Sequence, residues 1–124
     1  MRAQRAGALA LMLAALGASP ALAHHSFAMF DRGRTDTLVG TVKSFDMINP
    51  HSWLSLMVAD AQGHASEWAL ETGAIFQLER AGWTAQSVKT GDKVTAVIHP
   101  LKDGSNGGQL VSLQLPGGQT LATR

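Results

Sequence analysis

The sequence predicts a mainly β fold, a five-stranded OB-fold-like barrel with one short helix between strands three and four. Two observations carry that prediction. Hydrophobicity alternates with period two in three segments, switches to a helical period for a dozen residues, then alternates again in two more. All of this fits in about a hundred residues, the size of one domain with one core, and strand–strand–strand–helix–strand–strand is the order of an OB barrel.

Residues 1–23 stand apart from that domain. Arg2 and Arg5 precede an apolar run (residues 6–18), Ser19-Pro20 breaks it, and Ala21-Leu22-Ala23 has the small-x-small form of a signal-peptidase site. The run is too short to span a bilayer. No cysteine follows the cut, and the two arginines are not adjacent, so a Sec-type signal peptide is expected rather than a lipoprotein or twin-arginine leader. The expected product is periplasmic, without a stable membrane anchor, and begins at His24.

Residues 24–36 read as an N-terminal arm, with Phe27, Met29 and Phe30 available to dock it on the domain that follows (37–124). Residues 37–45 form the first strand, Leu38 and Val42 sharing a face with Gly40, which suggests a bend or bulge where a barrel closes. Asn49-Pro50-His51 is a turn. Residues 52–60 alternate Leu54, Leu56 and Val58 inward against Trp53, Ser55 and Met57 outward. A hairpin over residues 61–64 leads to the third strand (66–71), with Trp68 and Leu70 inward.

In residues 72–83 the period changes. Ile75, Leu78 and Ala81 form one stripe, Thr72 is a candidate cap and Gly82 a terminator. Residues 90–100 supply the fourth strand, with Val94, Ala96 and Ile98 inward, and a glycine-rich loop (101–108) leads to the fifth (109–121), which has a hairpin signal at Pro116-Gly117-Gly118. The expected core is Val42, Leu54, Leu56, Trp68, Leu70, Leu78, Val94, Ile98, Val111 and Leu113, and Trp83 also reads as core.

Without Arg2 and Arg5 the formal net charge of +1 becomes slightly negative. A near-neutral domain has no electrostatic case for nucleic acid. With no cysteine, no disulfide can staple the fold.

The concentrated chemical resource is histidine. All five lie beyond the cleavage site. Cleavage before His24 would place a free α-amine beside an imidazole, a chelate made by processing, with His25 next to it. His51 and His99 fall near the two loops that frame an OB binding face. Imidazole and amine nitrogens suit Cu(II), and Met29, Met47 and Met57 offer thioethers to Cu(I), so copper is the expected metal and His24, His25, His51 and His99 its candidate ligands. Each has a bland counterpart. His-His can be merely polar sequence, His51 can cap a turn beside Pro50, and His99 can be a surface strand end. His64, at a hairpin tip, is expected to be solvated.

No catalytic residues are assigned. No serine sits in a G-x-S-x-G context, and the glycine-rich loop lacks the Lys-Ser/Thr and helix of a phosphate cradle. Asp46, Glu67 and Glu71 could furnish carboxylates, with Glu67 and Glu71 expected on a solvated strand face. Trp53 faces outward where OB-folds stack ligands, or where the arm can cover it.

The segments AHHSFAMFD, GTV, NPHSW, EWALE, RAGW, GDKVTAVIHPLKDG and GGQLVSL resemble a family of short exported bacterial proteins classed only as a domain of unknown function. The resemblance spans nearly all of residues 24–124, and its signatures correspond to His24 to Phe27, Asn49 to His51, Gly82-Trp83 and His99-Pro100. It implies a periplasmic location and no activity.

Three functions follow as expectations. The first is an exported binding module that takes copper through His24, His25, His51 and His99. The second is a structural or interaction protein with a periplasmic protein partner and no metal. The third is a copper enzyme of the histidine-brace kind, which would need an open coordination position and a substrate surface.

Overall fold

The computed structural model describes residues 27–124, so the signal peptide, His24 and His25 lie outside the described residues. A 3-10 turn (Phe27–Met29) is followed by β1 (Asp36–Asp46), β2 (Trp53–Ala59), β3 (Ala65–Glu71), the helix α1 (Ile75–Arg80), β4 (Lys93–Pro100), β5 (Gly107–Gln114) and a short β6 (Thr120–Ala122). β1 pairs antiparallel with β2 and β4, β2 with β3, and β4 with β5. A parallel pairing of β3 with β5 closes the ring. The result is a closed five-strand mixed barrel of OB type with a short helix between β3 and β4, and β6 hangs on β5.

β1 is long enough to serve two neighbours. Its first half pairs with β4 and its second with β2, the change falling at Thr41. Gly40 sits just before that change because β2 comes close: a Cβ there would lie 2.8 Å from the Met57 carbonyl oxygen. The register shift itself comes between Val42 and Ser44, so Lys43 is the extra residue of a bulge. Gly107 and Gly108, expected in a loop, belong to β5. A Cβ on Gly108 would stand 2.6 Å from the His99 carbonyl oxygen, and one on Gly107 would stand 3.0 Å from that of Ala69. Glycine lets β5 press between β3 and β4 where the barrel closes.

Inside lie Leu38, Val42, Leu54, Leu56, Leu70, Leu78, Trp83, Val94, Ala96, Ile98 and Leu113, as the sequence predicts, joined by Val88, Leu110 and Leu121. Trp68 is only partly buried against this cluster. Val111 is not in the core. β5 carries a bulge there, Val97 facing Ser112 while Ile98 faces Leu110, so the extra residue turns Leu110 inward and Val111 aside. Trp83 is buried in the core and donates its indole N–H to the Ala122 carbonyl at 2.8 Å.

α1 ends as expected. Gly82 has φ of +92°, and the amides of Gly82 and Trp83 return to the carbonyls of Glu79 and Leu78, the pattern of a Schellman cap. Its start differs. Thr72 is still engaged with the barrel, its N–H donating to Ser52 O while Gly73 O accepts from Ser52 N–H. The N-cap is therefore Ala74, whose amide donates to Gln77 Oε1, and Asn49 Oδ1 accepts the Ile75 N–H at 3.0 Å. The Asn-Pro-His turn thus holds the front of the helix.

Candidate functional site

Of the three residues the sequence offers for docking the arm, Phe30 is the buried anchor, while Phe27 and Met29 remain exposed. Phe30 is buried and forms an isolated bridge with Leu101, Asp31 donates its amide to Pro100 O, and Lys102 donates to Met29 O. This fixes Phe27, at the beginning of the described chain, on the wall of a cavity of about 170 Å³.

Strand register arranges the polar wall of that cavity. Glu71 of β3 faces Gln109 of β5, and Gln109 faces His99 of β4. Residues paired across neighbouring strands project to the same side, so Glu71, Gln109 and His99 form a row on the outside of the barrel. Trp53 of β2, opposite Glu71, extends the row at its far end. His51 reaches it from the turn before β2. That turn is pinned by Ser52, fully buried, whose hydroxyl donates to the Ile48 carbonyl and accepts the Ile48 amide, each at 3.1 Å.

His51 Nδ1 meets Glu71 Oε1 in a close contact. The expectation that Glu71 lies on a solvated face is therefore overturned: the residue is 4% exposed. Glu67, four residues earlier, is indeed exposed. Its carboxyl is held below the usual range, first by a hydrogen bond from Lys43 Nζ and then by one from the Ser55 hydroxyl.

His99 lies near the end of β4, within the strand expected over residues 90–100, and its Nδ1 is 2.8 Å from the Arg34 carbonyl oxygen. A carbonyl only accepts, so Nδ1 carries a proton and, in the neutral ring, Nε2 keeps the free lone pair. A carboxylate at His51 Nδ1 imposes the same arrangement. His51 and His99 line adjoining cavities that share Gln109, Leu110, Thr123 and Arg124. Among the described residues, no three His, Cys, Asp or Glu side chains gather into a group that could hold a metal ion. His64 is solvated, its side chain 84% exposed and 3.6 Å from Asp60. Met29, Met47 and Met57 are spread over the arm, the β1–β2 turn and β2.

The sequence does not offer Thr72 or Gln109 as lining residues of this cavity, and it offers Glu71 only as a carboxylate on a solvated strand face. Only the parallel β3–β5 register, a pairing between segments remote in sequence, brings them together.

The chain belongs to a family of unknown function (DUF6152), whose model matches residues 12–111. No curated protein and no solved structure matches it.

Proposed function

Because membership of DUF6152 brings no activity with it, we propose from the site that the chain is an exported, periplasmic copper-binding module. His51 and His99 are ligands, and the site is completed by the amine and imidazole of His24 with His25 beside it. The observation that supports this reading is the state of the two described imidazoles. Each gives its Nδ1 hydrogen to a fixed oxygen, Glu71 carboxylate or Arg34 carbonyl, and keeps Nε2 free of any hydrogen bond among the described residues. Metal-ligating histidines carry this outer partner, which fixes the ring and raises the basicity of the ligating nitrogen.

Covalent reach favours the same reading. Phe27 is on the cavity wall, and at about 3.6 Å per residue the Cα of His24 lies no further than roughly 11 Å from that of Phe27. Two imidazoles on one outer face supply too few ligands alone, so the arm is what the reading requires.

The test is copper titration of metal-stripped protein whose first residue is His24. Near-stoichiometric Cu(II) binding is expected. His51→Ala and His99→Ala should each weaken it by roughly tenfold or more, the scale on which even outer-shell changes act. A residue added ahead of His24 should weaken it as well. Imidazoles ligate only when neutral, so affinity should fall in acid. Titration that is indifferent to all three changes overturns the reading and leaves the interaction module.

A further inference from the structure

Glu71 Oε2, Thr72 Oγ1 and Gln109 Oε1 are buried oxygens with no hydrogen-bond partner among the described residues, and all three residues line the 170 Å³ cavity. A buried oxygen left unpaired is costly, so three of them on residues that line one cavity call for a donor there. The carboxylate and amide oxygens can only accept, and the hydroxyl can accept. Glu71 brings a negative charge, and its other oxygen is already committed to His51.

We infer that this cavity is a site for a primary ammonium group. An ammonium offers three N–H donors, no acceptor and one positive charge, which matches three accepting oxygens and one carboxylate. A hard divalent cation fits less well, because calcium takes six to eight oxygens and among the described residues the unpaired buried oxygens on this lining are three. At about 30 Å³ per water the space takes the ammonium and a few further non-hydrogen atoms, and because the cavity opens to solvent the rest of the body can extend outward. Arg124 also lines the cavity, and its charge opposes a simple ammonium. The inference does not rest on copper: it uses Thr72 and Gln109, which the copper reading leaves idle.

The same chemistry has two sources, a free small amine or the chain's own α-ammonium if processing leaves His24 first. Metal-free protein beginning at His24 is titrated with methylammonium chloride and followed by amide chemical shifts, with and without acetylation of the terminus. A free-amine site shows saturable shifts at Glu71, Thr72 and Gln109 in both proteins. A site filled by the chain's own terminus shows them only after acetylation. Tetramethylammonium, charged but without N–H, should produce none.

Thr72→Val and Gln109→Leu should each raise the methylammonium Kd roughly ten- to a hundredfold, the equivalent of one hydrogen bond to a charged group. Both should leave copper affinity within about threefold, whereas loss of copper binding through His51→Ala or His99→Ala bears only on the other reading. Arg124→Ala should tighten methylammonium. No saturable shift in either protein overturns the site. So does a slowly exchanging Gln109 side-chain NH2 in the ligand-free protein, which would mean that the amide turns its donors to Glu71 and the oxygens satisfy one another.

Discussion

Glu67 and Glu71 leave β3 on the same side, four residues apart, and meet opposite surroundings. Glu67 keeps to the surface with Lys43 and Ser55, while Glu71 is covered and joined to His51. Strand alternation treats them as equivalent. What separates them is His51, brought from a turn twenty residues earlier, and Gln109, brought from β5. Contacts of that kind leave no local signature, which is why the histidines were legible in the sequence and their acidic partner was not. The exposed carboxylate gives a clean test. Its folded pKa is lowered mainly by the Lys43 hydrogen bond, so the stabilisation it contributes is present above the unfolded value and is lost as pH falls through the folded one. In Lys43→Met the Glu67 carboxyl should titrate higher, toward the ordinary value near about 4.3. The stability difference from the unaltered protein should vanish in acid. Carboxyl-carbon NMR across a pH series checks both, and an unmoved midpoint would contradict the assignment.

At the scale of elements, the sequence marks strands well and their irregularities poorly. Alternation identifies all five barrel strands and most of their inward residues, because a half-buried strand must repeat every two positions. A bulge adds one residue and reverses that parity from that point on. In β5 this is the difference between Val111, expected inside, and Leu110, found there at 2% exposure. Nothing in GGQLVSLQL announces the slip, since Leu110, Val111 and Leu113 are all apolar. The glycines just before it answer a close approach of two other strands, not the flexibility of a loop. Leu110→Ala should accordingly cost about 2–5 kcal/mol, the range for a buried leucine. Val111→Ala should cost less than about 1 kcal/mol, as substitutions away from the core do. Urea denaturation measures both, and the reverse order would place the bulge elsewhere.

Over the whole molecule, the arm decides how the barrel end and the candidate site relate. β1, β4 and β5 would close without it, but His99 would lose the Arg34 carbonyl that fixes its ring, and Phe27 would leave the cavity wall. Among the described residues, the Phe30 side chain and several polar contacts hold the arm. Phe30 is 4% exposed; Asp31 and Lys102 exchange main-chain hydrogen bonds with their neighbours across the Phe30–Leu101 bridge; and His99 closes the series. The sequence shows that residues 27–30 are apolar enough to dock but not where, because the receiving surface is assembled from the end of β4 and the loop after it. Phe30→Ala removes the anchor while leaving every barrel residue in place. Its cost should be about 3–5 kcal/mol, the range for a buried phenylalanine. The amides of Asp31 and Lys102 should lose hydrogen-exchange protection before those of β1 and β5 do. If copper binds as proposed, its affinity should fall in this variant even though no ligand has been changed, since the arm carries both His24 and the oxygen that orients His99. A variant that unfolds as the original does, within about 0.5 kcal/mol, and keeps both amides protected would show that the arm's backbone bonds hold it without the ring.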